Sequence, residues 1–169
     1  MITRILIVGL GSIGKKHIGI LTDHFPDIEV IVLRHKDCNK EQTKKLGINY
    51  CVTSIIDAIA LSPQAAIIAN PSSKHLEISI QLASHGVHLL IEKPISNSSE
   101  GVADLIKVCL ENNILLMTAY NLRYLPSLIK LYKYVQERKT GQILTINSQV
   151  GSYLPSWRSG ADYSKSVSA

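Results

Sequence analysis

The chain has 169 residues, of which 46% are hydrophobic and 18% charged, with a formal net charge of +5. This apolar content excludes an intrinsically disordered chain, and the length excludes a miniprotein that needs disulfides for want of a core. The cations are scattered and aromatic residues are few, with one Trp and one Phe, which points to an anionic small ligand such as a dinucleotide rather than to nucleic acid.

In chain order, residues 4–8 (R-I-L-I-V) form a short β-branched run that reads as a buried parallel strand. It meets Gly9-Leu10-Gly11-Ser12-Ile13-Gly14, and a helical stretch follows to His24, with Pro26 blocking its continuation. Residues 28–33 make a second strand, completing a βαβ unit of about 30 residues. A short polar helix over 41–46 is followed by Gly47, and 49–53 is a third strand. Ser54-Ile55-Ile56-Asp57 is a capping-box pattern opening a helix to Leu61. Residues 65–69 (A-A-I-I-A) are the fourth strand, which Asn70-Pro71-Ser72-Ser73 breaks before a helix through Ser84 with apolar Leu76, Ile80 and Ala83. Residues 88–91 are the fifth strand. After Glu92-Lys93-Pro94, the stretch Asn97-Ser98-Ser99-Glu100 predicts a cap for a helix with Val102, Leu105, Ile106, Cys109 and Leu110 on one stripe. Residues 114–119 are the sixth strand. Strands alternating with helices in this way predict an α/β fold with an open, doubly wound parallel sheet.

Near Asn121 the pattern changes. Residues 126–136 read as a helix, and 143–150 alternate as a strand with one exposed face would. The expected organisation is a dinucleotide-binding domain over 1–122 and the start of an incomplete second α/β domain over 123–169. The second stretch has 47 residues, whereas a domain has about 100–150.

Three cysteines (Cys38, Cys51 and Cys109) without a C-x-x-C pair predict reduced thiols and a cytoplasmic protein. No apolar run reaches the length of a membrane span or a signal core, and six scattered histidines offer no metal-ligand spacing.

The chemistry-bearing motifs fall at strand ends. Gly9-x-Gly11-x-x-Gly14 follows a strand and opens a helix, the context in which the pattern binds a dinucleotide. Gly9 allows the tight turn, Gly11 the approach of a pyrophosphate and Gly14 close packing of helix on strand. The helix start, with Ser12 and Ile13, supplies free N–H groups and positive dipole. The second strand ends in Arg34, 20 residues after Gly14, with no acid immediately beside it. Dinucleotide sites selective for NAD place an Asp or Glu there, whereas a cation suits a 2′-phosphate, so NADP is favoured over NAD. The alternative is a solvated Arg34 with NAD bound less selectively and Asp37 reaching in. Asn70, Pro71 and Ser72 end the fourth strand at the rim where such sheets bind ligands. His75, just beyond, is either a ligand contact or a structural histidine. Glu92-Lys93-Pro94 ends the fifth strand at the same rim, where a lysine can bind a sugar hydroxyl and assist proton transfer, or simply form a surface ion pair.

Gly-Leu-Gly-Ser-Ile-Gly, Asn70-Pro71 with His75, Glu92-Lys93-Pro94 and Tyr120-Asn121-Leu122-Arg123-Tyr124, in this order and spacing, resemble the Gfo/Idh/MocA family of NAD(P)-dependent oxidoreductases. The resemblance spans the whole chain, and the Glu-Lys-Pro placement is its most specific element. It implies a Rossmann domain followed by an α/β domain whose sheet covers the nicotinamide and often mediates homo-oligomerisation. It further implies hydride transfer to or from a sugar, sugar nucleotide or cyclitol. Lys93 matches the family lysine that contacts substrate and nicotinamide ribose, with Glu92 beside the cofactor. Asn121 and Arg123 are expected to face the cleft, Asn121 towards cofactor and Arg123 towards substrate. The segment from Tyr153 to Tyr163 resembles a cofactor-covering loop of members from surface-sugar pathways, making Trp157 and Arg158 candidate substrate residues.

One departure bears on activity. Active members carry a later Asp-x-x-x-His whose histidine partners the lysine, and here the last histidine is His88. The expectation is therefore a truncated oxidoreductase that binds cofactor and turns over weakly or not at all. The alternatives are a non-catalytic dinucleotide-binding module or sensor and, more remotely, a Rossmann methyltransferase.

Overall fold

A computed structural model of the chain describes residues 2–36, 39–151 and 153. The chain divides into two compact units, Met1–Tyr120 and Asn121–Ala169.

The first unit alternates strand and helix. Its strands are β1 (Arg4–Val8), β2 (Glu29–Leu33), β3 (Tyr50–Val52), β4 (Ala65–Ile68), β5 (His88–Ile91) and β6 (Leu116–Thr118). Its helices are α1 (Ser12–His24), α2 (Lys40–Lys45), α3 (Ile55–Ala60), α4 (His75–Ser84) and α5 (Val102–Glu111). The sheet order is β3-β2-β1-β4-β5-β6, and every pairing is parallel. This is the doubly wound Rossmann order, in which the chain starts centrally, winds outward one way and then returns to wind the other.

The strand sequences explain why the sheet is covered on both faces. Successive strand side chains point to opposite faces, so a central strand buried on both sides must be apolar throughout. In β1, Leu6 and Val8 join one core cluster with Ile31, Leu33, Ile68 and Ile91. The intervening Ile5 and Ile7 join the other with Val30, Val32 and Ile67. On the first face lie Ala58 of α3, Leu82 and Ala83 of α4, and Leu105 and Cys109 of α5. On the second lie Ile18 and Leu21 of α1. Leu6 and Ile7 are fully buried, each such side chain contributing about 1.5–3 kcal/mol.

Local expectations meet one agreement and two departures here. Ser54 caps α3, its side chain accepting from Ile56 N as the sequence predicts. The cap predicted from Asn97-Ser98-Ser99-Glu100 does not form: α5 starts after Gly101, at φ +79, with no side-chain cap. Ser96 and Ser98 instead accept from Ser98 N and Glu100 N, using their oxygens in the preceding turns. Cys51 on the edge strand β3 is disulfide-bonded, contrary to the expectation of reduced thiols, whereas Cys109 is free and buried. Pairing depends on approach in space, which cysteine count and spacing do not report.

In the second unit, a 3₁₀ turn (Asn121–Tyr124) leads to α6 (Pro126–Gln136), with Pro126 at its first position. A proline there lacks only an N–H that would have no helical partner. The predicted strand over 143–150 is not formed. A strand needs a partner for its backbone ladder, and Leu144, Ile146 and Val150 are left 86%, 79% and 93% exposed. No helix among the described residues is long and apolar enough to cross a membrane.

Candidate functional site

Parallel register brings the chemistry-bearing residues to one rim. Val8 pairs with Leu33 and Ile68, Ile68 with Ile91, and Ile91 with Thr118. The next residue of each strand therefore stands at the same level. The ladder continues one step past the strands: Gly9 N donates to Leu33 O (2.9 Å), Ala69 N to Val8 O (2.9 Å), Glu92 N to Ile68 O (2.9 Å) and Ala119 N to Ile91 O (2.8 Å). Because β2 and β4 flank β1 and their connections leave in opposite directions, a crevice opens there, the usual ligand position in such sheets.

The three glycines of the first turn have different surroundings. Gly9 has φ +97, and a Cβ on it would stand 2.9 Å from Ala69 O and Asn70 N, so only glycine lets the two strand-end turns touch. A Cβ on Gly14 would meet Gly9 O at 2.1 Å, which fixes Gly14 as the residue that seats α1 against the turn. Around Gly11 nothing lies within 4 Å. Ser12 and Ile13 are exposed. The start of α1 has no side-chain cap and no acidic residue in its first turn. This end thus offers uncapped N–H groups beside open space, the arrangement that suits an anion.

Beside this turn, Asn70 carries a buried Oδ1 that has no hydrogen-bond partner among the described residues. A buried unpaired acceptor costs about 1–3 kcal/mol, so the position favours a donor supplied from outside the chain. The glycine cradle and this orphaned acceptor fit a dinucleotide, whose phosphates accept and whose ribose hydroxyls donate. Pro71 is exposed and Ser72 half-buried in the short 3₁₀ turn Ser72–Lys74.

His75 lies just beyond this turn. The residue is 2% exposed, with Nδ1 3.0 Å from Pro94 O and Nε2 2.9 Å from Asn70 O. Both ring nitrogens face backbone carbonyls, which leaves none for a ligand. His75 thus lies between the Asn70 turn and the Lys93 turn, as a structural histidine would.

The Lys93 turn is built from both sides. Glu92 Oε1 lies 2.8 Å from His17 Nε2 of α1, and its Oε2 accepts from Lys93 N at 3.3 Å. The Lys93–Pro94 peptide is cis. Lys93 itself is exposed at the rim. The sequence motifs do not include His17, although its spacing carries a signal. His17 is three residues past Gly14 and so shares its helix face, the face that packs towards the strand ends.

On the other flank, half-buried Arg34 sends Nη1 to Gln42 Oε1 of α2 at 3.5 Å, and its own N–H donates to Val52 O. An open cleft of about 450 Å³ next to it is lined by Lys15, Asn39, Glu41, Gln42, Lys45 and Leu46. Asp37, Trp157 and Arg158 lie outside the described residues. Asn121 and Arg123 occupy the exposed 3₁₀ turn of the second unit.

The profile of Gfo/Idh/MocA proteins, described as an oxidoreductase family with an NAD-binding Rossmann fold, matches residues 3–120. The chain is similar to levoglucosan dehydrogenase of Pseudarthrobacter phenanthrenivorans, 34% identical over 53% of this chain and 22% of that protein. It is also similar to inositol 2-dehydrogenase of Rhizobium meliloti, 27% identical over 92% of this chain and 48% of that protein. Among solved structures, WlbA dehydrogenase from Bordetella pertussis, in complex with NADH and UDP-GlcNAcA, superposes with a TM-score of 0.73 at 27% identity, covering 83% of this chain and 41% of the other. The chain thus spans less than half the length of each of these relatives.

Proposed function

Because the chain belongs to the Gfo/Idh/MocA family of NAD-binding oxidoreductases, we propose that it binds a nicotinamide dinucleotide across the ends of β1 and β4. In this reading it serves hydride transfer on a hydroxyl or carbonyl of a sugar, sugar nucleotide or cyclitol. The observation that carries the reading is the open cradle at Gly11 beside the orphaned Asn70 Oδ1.

When bound, the nicotinamide supplies the hydride chemistry, and the residues of the chain supply the rest. The uncapped N–H groups of α1 bind the pyrophosphate, and Asn70 Oδ1 accepts from a ribose hydroxyl. Lys93 Nζ hydrogen-bonds the substrate oxygen and moves its proton as the carbon–hydrogen bond is broken or made. Arg34, backed by Gln42, meets the 2′-phosphate of NADP, so NADP is favoured over NAD.

Titration of the purified chain with NADPH, NADH and S-adenosylmethionine tests the first part. Binding of NADPH ahead of NADH, with none of S-adenosylmethionine, is expected, and binding of S-adenosylmethionine alone would overturn the oxidoreductase reading. Oxidation of bound NADPH on addition of a keto-sugar, however slow, would exclude the non-catalytic module.

A further inference from the structure

We infer that His17 is a positioning residue for the Lys93 turn: by gripping Glu92 from α1, it makes the helix that cradles the pyrophosphate also fix the turn that presents Lys93 to the nicotinamide end. The inference rests on the dinucleotide reading above and assigns a role to a residue that the glycine pattern and the Glu-Lys-Pro motif do not include.

The geometry is specific. His17 and Glu92 are 75 residues apart in sequence, on α1 and at the end of β5, with Nε2 and Oε1 2.8 Å apart. Their side chains are only 20% and 15% exposed, so the pair is shielded from the water that weakens surface ion pairs. The other Glu92 oxygen accepts from the backbone N–H of Lys93 at 3.3 Å. One carboxylate therefore links the α1 side chain directly to the main chain of the lysine. His75 holds the far side of the same turn through Pro94 O, so freeing Glu92 would release the turn on one side only. Gly14 seats α1 against Gly9, and His17 lies one turn along the same face. Any shift of α1 on closing around phosphates is thereby passed to Glu92 and Lys93.

The test compares two ligands of the full 169-residue chain. NADH reaches both ends of the proposed site, whereas ADP-ribose lacks the nicotinamide. His17→Phe keeps an aromatic ring, slightly larger, and removes both nitrogens, and His17→Gln restores a side-chain N–H that can donate to Glu92. If His17 positions the Lys93 turn, His17→Phe weakens NADH binding about tenfold, the scale of one lost charge-assisted hydrogen bond, and ADP-ribose binding by less than about twofold. His17→Gln then recovers most of the NADH affinity. Equal losses for both ligands would make His17 a structural prop of α1 and overturn the inference, as would unchanged NADH affinity in His17→Phe. If His17→Phe does not fold, Glu92→Leu, which removes both acceptor oxygens, must show the same loss confined to NADH, and failure to do so overturns the inference. A wild-type chain that binds none of NADH, NADPH and ADP-ribose would overturn the dinucleotide reading itself, and the positioning role with it.

Discussion

A Cβ on Gly14 would stand 2.1 Å from the carbonyl oxygen of Gly9. No side-chain rotation relieves that approach, because both atoms belong to backbone positions fixed by the β1–α1 turn. Gly14→Ala should therefore lower unfolding free energy by about 1–3 kcal/mol, the range for overpacking a tight site. Gly11 faces open space, so Gly11→Ala should change stability by less than about 0.5 kcal/mol and yet weaken dinucleotide binding. Urea melts and NADH titration of the two variants check this contrast. Equal destabilisation of both would refute the separate roles.

Arg34 lies half-buried at the end of β2, with only Gln42 as its side-chain partner among the described bonds. Arg34→Ala should raise the Kd for NADPH about tenfold or more, the scale of a lost charge-assisted contact, and leave that for NADH unchanged. NADPH binding that is indifferent to the substitution would sink the NADP preference.

His75 is buried with its ring nitrogens 3.0 Å from Pro94 O and 2.9 Å from Asn70 O. A neutral imidazole has one N–H to donate, so His75→Ala strips one of these carbonyls of its donor, and an unpaired buried group costs about 1–3 kcal/mol. A drop in the urea midpoint is expected even without cofactor. An unchanged midpoint, with only ligand affinity affected, would return His75 to the ligand-contact role.

Lys93 is exposed and braced only through its backbone. Lys93→Met should shift stability by less than about 0.5 kcal/mol while abolishing any turnover that the chain retains. Calorimetry and a single-turnover assay on the same preparation measure the two effects, and undiminished turnover would remove Lys93 from the chemistry.

Burial pushes the Cys109 thiol above its ordinary pKa, because a thiolate is poorly solvated among the apolar side chains of α5. At pH 8 the native chain should therefore resist labelling at Cys109 by a thiol reagent, and unfolding in urea should expose it. Rapid labelling of Cys109 in the native chain would contradict its place in the core.

Periodicity and punctuation were enough to set the strand–helix alternation. The run Ile5–Val8 is apolar at every position, as only a strand covered on both faces requires, and Gly9, Gly11 and Gly14 marked the turn where a backbone must pass close to something. Arg34, Asn70, Glu92 and Lys93 could be placed at one rim from their positions just past predicted strands, because parallel strands end at the same level. What the sequence could not decide depends on pairs remote in the chain. The serines before α5 fit a cap equally well on paper, and local backbone geometry gave their oxygens to the preceding turns. The alternation over 143–150 was that of a strand, but no ladder partner stands beside it among the described residues. His75 read as ligand contact or structural residue until two carbonyls from separate turns filled its ring nitrogens. His17 had no visible role until packing brought it to Glu92. Residue type and spacing determined which groups reach the strand ends, because those are properties of a single segment. Only the tertiary structure decided which groups bond each other and which remain free for a ligand, because hydrogen bonds act over about 3 Å and depend on how separate segments pack.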